Sequence, residues 1–215
     1  MNKVFIQKIT KRIERYFGET SSHGFDHTQR VCNMAMHLAE DEDVDLDIIQ
    51  VSALLHDIAR HKESLGEVVC HADEGARMAE GILREVGFPV EKISQVVYAI
   101  RVHRYGKRIT PDTLEASILQ DADRLDALGA ICIARVFSFS VKMNRPMYDL
   151  SIPPNPNYDG KSIRSQTAIN HFYEKILKIK PETFKTKKAQ EIARGRYQAI
   201  VDFVERFKKE WVGEI

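Results

Sequence analysis

Apolar residues recur along this chain at steps of three and four, the spacing of one face of an α-helix. Phe5, Ile6, Ile9, Ile13, Tyr16 and Phe17 form the first such stripe, and Val31, Met34, Ala35, Leu38 and Ala39 the second. Ile48, Val51, Leu54 and Leu55 form a third, which runs without a break into His56-Asp57. A fourth helix is expected from about His71 to Val86, closed by Gly87-Phe88-Pro89, and Ile93, Val96, Val97 and Ile100 mark a fifth that ends near His103. Thr110-Pro111 is expected to open a sixth, because threonine can cap and proline is tolerated in a first turn. That helix carries Leu114, Ile118, Leu119, Leu125 and Leu128. Another spans about Ala130 to Val141, and Ile163 to Ile179 and Thr186 to Trp211 read as two more. No alternating strand pattern is longer than a few residues. The expected fold is all-α, a single-domain helical bundle over residues 1–215, with a core at about 20–130 and C-terminal helices at about 163–212 packed onto it. Between Asn144 and Lys161, Pro146, Pro153, Pro154 and Pro156 rule out a helix. An irregular segment of that length is read equally as a plain surface connection or as a lid.

Composition narrows the partners. The formal net charge of the 215-residue chain is +1, so a nucleic acid polymer is not expected to bind. Cys32, Cys70 and Cys132 are scattered, with no CxxC pair, which reads as free thiols in a reducing compartment. Neither a signal-peptide core nor an apolar run of membrane-spanning length is found. A cytoplasmic protein with no membrane partner is expected, and a homodimer is left open.

The chemistry concentrates in a few polar residues set in apolar surroundings. His56-Asp57 lies within Ala53-Leu54-Leu55-His56-Asp57-Ile58-Ala59, where an uncompensated carboxylate would carry a heavy desolvation cost. Neutral imidazole and carboxylate are ligands for first-row transition metals. His27, in Asp26-His27-Thr28-Gln29-Arg30-Val31, and the cluster Asp121-Ala122-Asp123-Arg124-Leu125-Asp126 supply further ligands of that kind. On a helix that turns roughly 100° per residue, Asp123 and Asp126 share a face. Asp123 is the expected ligand, and Asp126 is expected to orient a ligand or a water. The His/Asp mixture suits a divalent transition metal, Mn, Fe, Co, Ni or Zn, better than Ca. No Walker-type or GxGxxG loop is present, which argues against ATP-driven or dinucleotide chemistry.

In order and context, His27, His56-Asp57 and Asp123 resemble the H…HD…D signature of the HD superfamily of metal-dependent phosphohydrolases. The stretch Ser165 to Lys175 looks like the corresponding part of small stand-alone bacterial members. The resemblance implies a helical bundle of the HD-domain type, with a metal held at its centre by His27, His56, Asp57 and Asp123. It implies hydrolysis of a small phosphate ester, foremost a nucleotide and among those a nucleoside triphosphate, with Asp57 and Asp126 in catalysis. His71 and His103 stand where relatives bind a second ion or face the substrate phosphate. One ion per chain is favoured over two, because no extra carboxylate is evident to bridge a pair. Arg30, Arg104, Lys107, Arg124 and Lys161 are the candidates for holding phosphate, with Arg164 beside them. Two alternatives stay open: an HD-type di-iron oxygenase using the same ligands, and a regulatory metal- or nucleotide-binding module without catalysis.

Overall fold

The structure is a computed structural model that describes residues 3–17, 24–160 and 162–215; His23 and Lys161 lie outside them. Among the described residues there are helices, turns and loops, and no strand. The chain gathers into two compact units, Met1–Arg124 and Leu125–Ile215.

The first unit contains α1 (Lys3–Ile13), α2 (Phe25–Leu38), α3 (Leu46–Leu55), the short α4 (Arg60–Ser64), α5 (His71–Val86), α6 (Val90–Val102) and α7 (Leu114–Leu125), the last residue of which begins the second unit. Its hub is α3, which packs against α1, α2, α5 and α6. Ile48, Ile49, Val51, Ser52, Ala53, Leu54 and Leu55 are all buried, so the helix is covered on every side, as an apolar surface all round requires. Its start is set by Asp45, whose carboxylate accepts the N–H groups of Asp47 at 2.9 Å and Ile48 at 3.3 Å. Lys92 from α6 reaches the carboxylates of both Asp45 and Asp47, at 2.7 and 3.0 Å. Burial alone would raise the Asp45 carboxyl, but the hydrogen bond and charge of Lys92, with the two capped amides, hold it below its usual range.

Small residues let α5 lie close to the end of α3. Ala72, Gly75, Ala76 and Ala79 are buried, and a Cβ added at Gly75 would stand 3.4 Å from the carbonyl oxygen of His56. The C-terminus of α5 closes on Gly87 at φ 73°, with Phe88 N–H donating back to the Leu83 carbonyl at 2.9 Å. This left-handed stop favours glycine, and it turns Phe88 inward against Phe5 of α1. The sixth helix starts later than Thr110-Pro111 suggests. It begins at Leu114, with the hydroxyl of Thr113 accepting the Ala116 N–H at 3.2 Å, so the nearer threonine takes the capping role. It also ends at Leu125 rather than running on to Leu128, which is extended at φ −127°, ψ 160°.

The second unit contains α8 (Gly129–Lys142), α9 (Ala168–Glu174) and α10 (Lys187–Trp211). Phe137, Phe172, Phe203 and Phe207 meet ring to ring between them. The helix expected over Ile163 to Ile179 shortens to seven residues. Its first N–H groups are taken by the proline-rich segment: Ala168 donates to the Pro146 carbonyl at 2.9 Å and Ile169 to that of Met147 at 3.0 Å. The same segment is held by Asn170, donating to the Ile152 carbonyl at 3.0 Å, and by Glu174, accepting the Asn155 N–H at 2.7 Å. Cys32 and Cys132 are free and buried, and burial pushes both thiols up to about 11; Cys70 is free and half-buried. Among the described residues, no helix is long and apolar enough to cross a membrane.

Two stability measurements check this packing. Asp45→Ala removes the α3 cap and is expected to lower unfolding free energy by about 1 kcal/mol, read as a lower urea midpoint with an unchanged slope; an unchanged midpoint would show that α3 is held by packing alone. His171 in α9 is pushed down to about 4 by burial and by the charges of Lys175 and Arg145. A group depressed in this way contributes stability above its unfolded value of about 6.5, which is lost as pH falls toward its folded value. Thermal unfolding between pH 7 and about 4 should therefore be less steeply pH-dependent in His171→Gln than in the parent, and equal slopes would remove the assignment.

Candidate functional site

The first unit brings histidines from four helix ends to one carboxylate. His27 is the third residue of α2, His56 follows α3, His71 opens α5 and His103 follows α6. All four are at most 3% exposed, and Asp57 is 4% exposed. From Oδ2 of Asp57, the Nε2 atoms of His27 and His56 lie at 3.7 and 3.8 Å. From Oδ1, those of His71 and His103 lie at 3.3 and 3.8 Å. The His27 and His56 Nε2 atoms are 3.4 Å apart. Asp123 on α7 places Oδ1 3.4 Å from Nε2 of His27. The four ligands expected from the sequence thus stand together, as do His71 and His103. His27, His56 and Asp57 form one group able to hold a metal ion, and Asp57, His71 and His103 a second.

Local structure aims these rings. The last carbonyls of a helix have no partner within it. His56 uses Nδ1–H to bond the Ala53 carbonyl at 2.7 Å, and His103 bonds the Ile100 carbonyl at 2.6 Å. In each case the residue just past the helix satisfies a carbonyl three positions back. A neutral imidazole that donates from one nitrogen presents a lone pair on the other, so both Nε2 atoms offer electron pairs toward Asp57. The end of α6 is tied to α7 by Gln120, which donates to the Val102 carbonyl at 3.0 Å; this fixes the helix that carries Asp123.

Burial disfavours the charged forms of His103 and His71, and the imidazoles around Asp123 favour its ionised form. Burial, with the neighbouring imidazole of His56, pushes His103 down to about 4. Burial also lowers His71, helped by Arg60 and opposed by Asp57 and Glu63. For Asp123, burial alone would raise the carboxyl; the neighbouring imidazoles of His27, His56 and His103 outweigh it and hold the group well below the carboxylate range. Neutral imidazole and ionised carboxylate are the protonation states that bind metals.

The remaining sequence candidates lie elsewhere or are already engaged. Arg104 donates to Glu63 at 2.7 Å, Lys107 reaches both oxygens of Asp73 at 2.8 Å, and Arg30 pairs with Asp26 at 2.7 Å. The guanidinium of Arg124 stacks over the Tyr105 ring at 3.6 Å. Asp126 is the first residue past α7, and its buried carboxylate accepts from Arg135 at 2.8 Å within the second unit. Lys161 lies outside the described residues. Sequence reasoning missed Arg60 and Glu63, which contact His71. Both sit in Arg60-His61-Lys62-Glu63-Ser64, a charged stretch with no mark to separate it from solvated surface.

Comparison with known proteins places this arrangement. The HD domain family model matches residues 24–128, a span that includes all the residues converging on Asp57. The chain belongs to the HD superfamily. An HD-superfamily hydrolase from Bacillus thuringiensis is 33% identical, with 98% of each chain covered and a TM-score of 0.77. A predicted HD superfamily hydrolase from an uncultured Thermotogales bacterium is 35% identical over 96% of this chain and 92% of its own, with a TM-score of 0.68. YpgQ of Bacillus subtilis is 30% identical over 201 residues, covering 91% of this chain and 87% of YpgQ. YpgQ solved in complex with ADP superposes with a TM-score of 0.69 over 96% of each chain, at 24% identity in that superposition, which shows the shared fold.

Metal binding is directly measurable. After chelator treatment, Mn or Co at about 100 times its dissociation constant should stabilise the chain by roughly 2.7 kcal/mol per site, seen as a rise in Tm. His56→Ala should lose most of that rise. An equal rise in parent and variant would mean that the ion binds somewhere else.

Proposed function

We propose that this chain is a metal-dependent phosphohydrolase that acts on a nucleotide. The observation that carries the reading is the convergence of buried imidazole Nε2 atoms on the two oxygens of Asp57. Electron-pair donors packed about a carboxylate out of water make a cation site. His27, His56, Asp57 and Asp123 would hold the ion. Membership of the HD superfamily supports the hydrolase reading, and the ADP complex of YpgQ, a 30% identical relative, supports a nucleoside phosphate as substrate.

When bound, a divalent ion in such a site lowers the pKa of water and neutralises charge developing on a phosphoryl group. The chain's own residues supply the setting. Leu55 and Ile58, which flank His56-Asp57, and Ile100, whose carbonyl meets His103, are all buried. The Ala53 and Ile100 carbonyls hold the Nδ1 protons of His56 and His103, which leaves Nε2 as the donor atom of each neutral ring. His71 and His103, facing Oδ1 of Asp57, would hold a second ion or a phosphoryl oxygen. The preference for one ion assumed that no carboxylate could bridge two, yet Asp57 turns one oxygen to each histidine pair. Of the phosphate candidates, Arg104 is best placed, since Glu63 joins it to the network of His71.

The test is a screen of nucleoside mono-, di- and triphosphates and cyclic dinucleotides against Mn, Co, Ni, Zn and Mg. Turnover of at least one nucleotide is expected, dependent on added metal. Asp57→Ala should abolish it while leaving the far-ultraviolet circular dichroism unchanged. Near-normal turnover in a metal-supplied Asp57→Ala protein would rule out the assigned centre, and an inactive parent across the whole screen would count against hydrolysis.

A further inference from the structure

His56 and His103 follow helices and find backbone carbonyls to hold them, but His71 opens one. At a helix start the groups without partners are N–H donors, and a ring N–H cannot use them. His71 therefore needs an acceptor from outside its own helix. Glu63 on α4 supplies it: Oε2 lies 2.6 Å from Nδ1 of His71. A carboxylate oxygen and a ring nitrogen that close need a proton between them, so Nδ1 carries the hydrogen and, in the neutral ring, Nε2 keeps its lone pair. That Nε2 stands 3.3 Å from Oδ1 of Asp57. The same carboxylate also accepts from Arg60 at 2.9 Å on Oε2 and from Arg104 at 2.7 Å on Oε1.

We propose that Glu63 is the positioning residue of this site: it orients His71 with Nε2 unprotonated toward Asp57, and its other oxygen holds Arg104 beside the same network. The carboxylate does for His71 what the Ala53 and Ile100 carbonyls do for His56 and His103. A carboxylate behind a functional histidine fixes both tautomer and ring direction. The orientation itself needs no metal; its consequence for turnover rests on the phosphohydrolase reading.

The tautomer can be read directly by long-range proton–nitrogen NMR of the metal-free protein in mildly alkaline buffer, where the imidazoles are neutral. His71 is expected in the Nδ1–H form in the parent. Glu63→Ala and Glu63→Met should shift it toward Nε2–H, with Arg60, 2.9 Å from Nδ1, then free to donate to that nitrogen. Arg104→Met, which leaves the Glu63–His71 contact in place, should not shift it. In the metal-supplied enzyme, Glu63→Met should lose about 10- to 100-fold in kcat/KM on whichever nucleotide the parent turns over. A parent His71 in the Nε2–H form, or Glu63 variants that keep Nδ1–H, would overturn the proposal. A tautomer shift in a protein that hydrolyses no phosphate ester would instead overturn the phosphohydrolase reading and leave the role of Glu63 standing.

Discussion

A carboxylate that is 4% exposed, as Asp57 is, has given up nearly all of its water, and such a group stays ionised only among compensating charges or donors. Its position follows from α3. That helix is buried on every side and can neither rotate nor slide without exposing apolar surface, so the residues just past its end have little freedom. The rest of the first unit is arranged about that point. α5 approaches closely through small residues, α6 delivers His103, α2 delivers His27 and α7 brings Asp123 within reach of His27.

Helix ends are where such a convergence is cheapest to build. A mid-helix side chain projects outward from a continuous ladder, whereas the residues at a terminus adjoin unpaired backbone groups. His56 and His103 exploit the same geometry independently, each closing a ring N–H on a carbonyl three residues earlier. The imidazoles are thereby aimed by backbone that the core already holds rigid. Donors held this way before an ion arrives lose little freedom when it does.

The sequence made much of this legible. The helical pattern marked α1, α2, α3, α5 and α6, and α10 begins just after the threonine that caps it, Thr186. His27, His56, Asp57 and Asp123 were readable because two polar residues interrupt an apolar run, and because their order has a specific precedent. The misses have local causes. Thr110-Pro111 and Thr113 are competing caps, and only packing chooses between them. The shortened α9 depends on carbonyls of Pro146 and Met147 some twenty residues away, a contact that periodicity cannot encode. Glu63 has no signature at all, since its meaning comes from the start of a different helix.

The three rings whose orientation can be traced differ in what secures them. Two rely on backbone carbonyls, which no substitution can delete. His71 relies on a side chain that it shares with Arg60 and Arg104. Anything that draws Arg104 or Arg60 away, such as an anionic phosphate, acts on the carboxylate that holds His71. It thereby changes the charge felt by the pair of residues facing Oδ1 of Asp57. On the other side of Asp57, His56 is fully buried and secured by α3 itself. The two oxygens of Asp57 thus face unlike surroundings. One side includes a ring set by the core, and the other a ring whose support can answer to what binds at the surface.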